Sequence, residues 1–207
     1  MSASGRPVVA VLDYGIGNLR SAQKGLERAG ADAHLTADPE LIRRADGLVL
    51  PGVGAFAPCM AALEGAALDR EARRAVEEGV PFLGICIGMQ MLYEGSEEAP
   101  GRRGLGLLPG DVRRLPDGVK RPQMQWNRLQ VDRPDALLAG LDGAWVYFVH
   151  SYSAEISSNT IATCDYGGPV SAVAATGALW GVQFHPEKSG AEGLRLLGNF
   201  VAILACR

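Results

Sequence analysis

Two kinds of stretch follow one another along the first half of the chain. Unbroken apolar runs, Pro7-Val-Val-Ala-Val-Leu-Asp13, Gly47-Leu-Val-Leu-Pro51 and Val80-Pro-Phe-Leu-Gly-Ile85, have the length and continuity of strands buried on both faces. A shorter run at residues 33–36 fits another strand. Between the runs, apolar residues recur at helical spacing. Leu19, Ala22, Leu26 and Ala29 mark a helix over residues 18–29 that Gly30 stops, and residues 57–79 read as helical with a break near Gly65. Strand–helix–strand repetition predicts an α/β fold, an open and mostly parallel sheet with helices on both faces.

After Ser96 the pattern changes. Residues 96–104 form a polar loop with Gly and Pro, and short β-rich pieces follow to about residue 157 with little helical periodicity. They predict antiparallel strands that extend the sheet. Trp145-Val-Tyr-Phe-Val149 is a clear strand ending at His150-Ser-Tyr152, and further strands fall at residues 171–175 and 179–184. A helix over residues 191–205 closes the pattern, with Leu194, Leu197 and Val201 on one face. Neither a linker composition nor a repeat divides the chain, so residues 1–207 read as one domain.

Composition narrows the class. Hydrophobic residues make up 47% and charged residues 21%, enough apolar material for a real core. Lys and Arg total 20 against 23 Asp and Glu, a net charge of −3, which lacks the positive excess that nucleic-acid backbone binding needs. Cys59, Cys86, Cys164 and Cys206 lie far apart with no Cys-x-x-Cys spacing, which excludes a zinc ribbon and gives no disulfide framework. Met1-Ser-Ala-Ser-Gly-Arg6 lacks the layout of a signal peptide. Residues 194–206 are too short and too interrupted, by Arg195 and Asn199, to span a bilayer. A soluble cytoplasmic protein with no membrane or nucleic-acid partner is expected.

The sharpest chemical signal is Gly84-Ile-Cys86-Ile-Gly88, directly after a buried strand and ahead of a helix beginning near Met89. It matches the nucleophile elbow with Cys in place of Ser, where flanking glycines leave room for a sharp turn. Such a turn lifts the sulfur above the carboxyl end of the sheet, and the helix N-terminus favours the thiolate. The backbone N–H of Ile87 would face a developing oxyanion. A buried structural cysteine in a Gly-rich turn is the plainer alternative.

A cysteine nucleophile needs a base, and the chain offers His34, His150 and His185. His34 falls inside an early strand and reads as structural. His185 ends the strand Trp180-Gly-Val-Gln-Phe184 and is followed by Pro186-Glu187. Residues two apart in extended backbone face the same side, about 6.6 Å apart at Cα, so Glu187 can orient the imidazole while its other nitrogen faces the thiol. Cys86, His185 and Glu187 form the candidate triad. His150 has no acidic residue two places away and is expected to line the site without acting as base. Pro51-Gly-Val-Gly-Ala-Phe56 should emerge at the same sheet edge, where its glycines let backbone approach a substrate. Asp13-Tyr-Gly-Ile-Gly-Asn18 fails the dinucleotide fingerprint because Arg20 stands where the third Gly belongs, and no P-loop or metal spacing appears. No cofactor is expected.

Taken together, these residues resemble the class I, triad-type glutamine amidotransferases over nearly the whole chain. Asp13-Tyr-Gly-Ile-Gly-Asn-Leu-Arg-Ser21, Pro51-Gly-Val-Gly-Ala-Phe56, Gly84-Ile-Cys-Ile-Gly-Met-Gln90, Tyr147-Phe-Val-His-Ser-Tyr152 and Gln183-Phe-His-Pro-Glu-Lys-Ser189 resemble most closely the glutaminases that serve imidazole glycerol phosphate synthase. The resemblance implies glutamine hydrolysis through a Cys86 thioester, with ammonia passed to a (β/α)₈ cyclase subunit as the heterodimer partner. It also implies that Gly52, Val53, Gly54, Ile87, Gln90, His150, Ser151 and Tyr152 bind substrate or oxyanion, and that Asn18, Trp126 and Tyr147 lie near the cyclase; core packing is the plain alternative for the two aromatics. Pro122-Gln-Met-Gln-Trp-Asn127 departs from the family's Pro-His-Met-Gly-Trp-Asn, and Gln125 in place of Gly is expected to bend the local backbone or alter docking. Glutaminases of other synthases, a peptide- or ester-cleaving cysteine hydrolase and a flavodoxin-like binding module remain alternatives.

Overall fold

The computed structural model describes residues 5–206, so most of the N-terminal stretch weighed above, residues 1–4, lies outside the described residues. β1 (Val8–Leu12) leads to α1 (Leu19–Arg28), β2 (Asp32–Thr36), α2 (Pro39–Arg44), β3 (Gly47–Gly52), α3 (Phe56–Gly65), α4 (Leu68–Glu77), β4 (Phe82–Cys86) and the five-residue α5 (Ile87–Met91). Strands then dominate. They are β5 (Gly95–Ser96), β6 (Asp111–Arg114), β7 (Gln123–Arg128), β8 (Gln130–Val131), β9 (Trp145–His150), β10 (Tyr152–Ala154), β11 (Thr160–Asp165), β12 (Pro169–Thr176) and β13 (Leu179–Val182), ahead of α6 (Gly190–Ala205).

The main sheet has eight strands in the order β2-β1-β3-β4-β13-β12-β11-β8. β2 through β13 pair in parallel, and β12, β11 and β8 extend the sheet antiparallel. The chain steps one way across the sheet from β1 to β2 and the other way from β3 to β4. Right-handed crossovers therefore place α1 on one face and α3 with α4 on the other. α6 packs beside α1, and Trp180 of β13 meets Phe200 of α6 edge-on at 6.3 Å. Central residues such as Val11, Leu50, Leu83 and Val182 are wholly buried, as strands covered on both faces require.

Several expectations need correction. The β-rich middle does not simply extend the main sheet: β10-β6-β5 and β7-β9 form two small sheets of their own, and only the two-residue β8 joins from that region. β7 explains why, since Met124, Gln125, Trp126 and Arg128 are exposed and leave it little to bury in a layered sheet. The extension comes instead from β12 and from β11, whose apolar residues were not read as a strand. The helix after Cys86 begins at Ile87, not near Met89, and ends by Met91. On α6, Leu194 is 39% exposed, and the buried stripe runs through Leu196, Leu197, Phe200, Val201 and Leu204.

α2 was missed although its start was written out: Asp38 caps Glu40 N–H at 3.0 Å, and Pro39 opens the first turn. The break expected near Gly65 falls at Ala66–Ala67, where Ala67 takes a left-handed φ of 56°. Gln125 sits opposite Phe148 in an unbroken register from Gln123 to Arg128, so no bulge interrupts the pairing there. Among the described residues no helix is long and apolar enough to cross a membrane.

Candidate active site

β4 runs straight into α5, and Cys86 is the hinge, with φ 56° and ψ −112°. A β-carbon in that region is strained, and such strain persists only where the surroundings over-determine it. Here the glycines on either side do so. A Cβ on Gly84 would lie 2.8 Å from the Gly88 carbonyl oxygen, and one on Gly88 would overlap the Leu50 carbonyl oxygen. Gly52, in register with Cys86 on β3, would press its own Cβ against Gly88 N at 2.8 Å. The sulfur is almost buried, 3.8 Å from Gln183 Nε2 and 4.0 Å from the Val149 carbonyl oxygen.

His185 emerges from the adjacent β13 and is held by its backbone. Its N–H donates to the Tyr147 carbonyl at 3.0 Å, and its own carbonyl accepts from Ser189 Oγ at 2.6 Å. Nδ1 meets Glu187 Oε1 at 2.7 Å, both side chains being buried. Glu187 does not reach back along a strand as expected. Pro186–Lys188 wind one 3-10 turn, so the carboxylate folds back over Pro186. Burial disfavours charge on this imidazole, but the Cys86 sulfur and the Glu187 carboxylate outweigh it and hold His185 up to about 9.

His150 has the opposite environment. Burial and the nearby His185 push it down to about 4 despite its bond to the Tyr152 carbonyl, so its ring is neutral at pH 7. Nδ1 therefore carries the proton given to that carbonyl at 2.9 Å, which leaves Nε2 a buried acceptor without a partner.

These groups surround a cavity of about 300 Å³. Cys86 and His185 both open on it, and Glu187 stands behind His185. Of the residues implied to bind substrate or oxyanion, Val53, Gly54, Ile87, Gln90 and residues 150–152 line it. Gly52 lies behind the wall, packed on Gly88. Gln90 gives its amide N–H groups to the Tyr152 carbonyl at 2.9 Å and to Gln183 Oε1 at 3.1 Å, leaving Oε1 buried and unpartnered.

Glu98 and Lys188 also line the cavity and were not anticipated. Glu98 comes from the loop after β5, where it accepts the Phe56 N–H at the start of α3 at 2.8 Å. One carboxylate in a polar loop carries no local signal. Lys188 lies within the Gln183–Ser189 motif, whose chemical signal sits on His185 and Glu187. Among the described residues no cluster of three or more His, Cys, Asp or Glu side chains could hold a metal ion.

The residues implied to face a partner fall outside the cavity. Trp126 and Tyr147 sit directly opposite each other on the β7-β9 ribbon, edge-to-face at 6.1 Å. Trp126 is 47% exposed, so it is not core filler, and Met124 at 61% and Trp145 at 54% are exposed on the same ribbon. Asn18 precedes α1 at the carboxyl end of β1 and accepts from Ser21 Oγ at 2.8 Å.

Comparison with known proteins bears on this arrangement. The sequence model of the class-I glutamine amidotransferase family matches residues 10–204. Imidazole glycerol phosphate synthase subunit HisH of Methanothermobacter thermautotrophicus is 48% identical over 95% of this chain and 99% of its own length. The protein of the same name from Synechococcus elongatus is 50% identical over 96% of this chain and 94% of its own. A solved structure described as a glutamine amidotransferase superposes with a TM-score of 0.75 at 24% identity, covering 96% of this chain and 99% of that one, which shows a shared fold. With half its residues shared with these relatives along almost their entire length, the chain belongs to the class I glutamine amidotransferases, in the branch of the imidazole glycerol phosphate synthase HisH subunits.

Proposed function

We propose that this chain, as one amidotransferase domain in the cytoplasm, hydrolyses glutamine to glutamate and ammonia. It hands the ammonia to a cyclase subunit that makes imidazole glycerol phosphate in histidine biosynthesis. The observation that carries the reading is a cysteine held at positive φ beside a buried, charge-retaining His–Glu pair that follows the neighbouring strand.

Cys86, as thiolate, attacks the side-chain carboxamide carbon, and the carbonyl electron pair moves onto oxygen. The Ile87 N–H and an N–H of the turn at residues 52–54 receive that oxyanion. His185, charged below about pH 9, gives its proton to the nitrogen as the C–N bond breaks, and ammonia departs from a thioester. The neutral imidazole then takes a proton from the attacking water. Collapse returns an electron pair to sulfur and releases glutamate. Glu187 fixes the ring so that Nε2 faces the thiol. The unpartnered Gln90 Oε1 and the Glu98 carboxylate offer acceptors to the substrate's ammonium, and Ser151 and Tyr152 supply polar backbone. Asn18, Trp126 and Tyr147 face the cyclase.

The test is glutamate release from glutamine, with and without a purified cyclase and its nucleotide ligand. Cys86→Ala and His185→Ala should each abolish glutamine-dependent turnover, while synthesis from added ammonia survives because the cyclase is a separate chain. Glutamate release that persists in Cys86→Ala would overturn the assignment.

A further inference from the structure

Gln183 lies between β13 and His185, fully buried, with both ends of its amide engaged. Which end faces Cys86 follows from the neighbours. The Tyr152 carbonyl can only accept, and it lies 2.9 Å from the Gln90 amide. Gln90 must therefore turn its –NH₂ toward it, since the reverse placement would set two acceptors face to face. The second hydrogen of that –NH₂ points at Gln183, which must answer with its oxygen at 3.1 Å. What remains for the sulfur is the Gln183 –NH₂, at 3.8 Å. His150 Nδ1 donates to the same Tyr152 carbonyl and confirms its acceptor role.

We propose that Gln183 is a catalytic hydrogen-bond donor to the Cys86 sulfur, and that Gln90 is the positioning residue that keeps this donor pointed at it. The inference deepens the glutaminase reading and rests on Cys86 being its nucleophile. Two amides in series carry a fixed polarity from the Tyr152 carbonyl to the reacting atom. An N–H donor strengthens when its acceptor is charged, so Gln183 favours the thiolate over the thiol. The same bond helps when the second tetrahedral intermediate collapses: the C–S bond breaks, its electron pair goes to sulfur, and the departing charge meets a donor already in place. Because the amide is buried and packed, it needs no reorganisation in either step.

Alkylation of Cys86 by iodoacetamide tests the contact without glutamine. Gln183→Met keeps the volume and removes the donor, so it should slow alkylation at pH 7 about tenfold and move the rising limb of the pH–rate profile to higher pH. Gln90→Met, which frees the Gln183 amide to turn over, should move the limb the same way by less. A folded Gln183→Met protein with an unmoved alkylation profile would overturn the inference. If that variant does not fold, the wild-type chain still decides: the Gln183 side-chain amide resonance should shift when Cys86 is alkylated, and an unmoved resonance would sink the idea. Normal glutaminase activity with an unmoved profile removes the role of Gln183 alone. A reactive Cys86 in a chain that never releases glutamate with its cyclase removes the glutaminase reading and leaves the contact standing.

Discussion

The two buried histidines of the cavity carry opposite charge states for opposite reasons. His150 bonds only a backbone carbonyl and faces a second histidine, and burial wins, so it stays neutral down to about 4. His185 is comparably enclosed but faces a sulfur and a carboxylate, which reverse the penalty and keep it protonated up to about 9. A base held above its ordinary value of 6.5 stabilises the fold fully below pH 6.5 and loses that contribution as pH rises through 9. His185→Gln should therefore cost more stability at pH 6 than at pH 9.5, measured by urea unfolding at both. Cys86→Ser should lower the His185 titration midpoint in an NMR experiment, because the sulfur is one of the two groups that raise it. The identities of Cys86, His185 and Glu187 were readable from two short motifs. The raised state of His185 was not, because it depends on burial and on a sulfur that only the fold brings to the ring.

At the level of elements, the elbow is a matter of steric exclusion. Gly88→Ala would drive a methyl into the Leu50 carbonyl and should cost upward of about 3 kcal/mol, with loss of activity. Gly198, inside α6 with open space around it, is the contrasting case. Gly198→Ala should stabilise by about 0.5–1 kcal/mol and leave activity intact. Paired thermal melts and glutaminase assays check both. The centre of the parallel half of the sheet was legible because β1, β3 and β4 are continuous apolar runs. β7 was not, because it leaves most of its residues in solvent, and β11 was not, because Thr160, Thr163 and Asp165 interrupt its apolar residues. The 3-10 turn at Pro186–Lys188 is a similar case: Pro186 was visible, but the direction it sends Glu187 depends on Ser189 capping the His185 carbonyl.

Across the whole molecule, the exposed aromatic ribbon is the surface that the proposed function assigns to the cyclase. Trp126→Ala should weaken binding of the cyclase at least about tenfold, read by titration calorimetry, without changing Cys86 alkylation. Gln125→Gly should change the same affinity, and an unchanged value would show that the departure from the family pattern is silent. The cavity itself gathers residues 53–54, 86–87, 90, 98, 122, 149–152, 185 and 188, and only the motif-bearing pieces announced themselves. This assembly also sets a schedule for the newborn chain. β4 carries the nucleophile yet lies between β3 and β13, and β13 is the last strand made. Until it emerges from the ribosome, β4 is an open hydrophobic edge with unpaired backbone, a template for the wrong partner. The chain is thus most prone to aggregate just before its last strand is translated, and the insertion that closes this edge also delivers the base to the thiol.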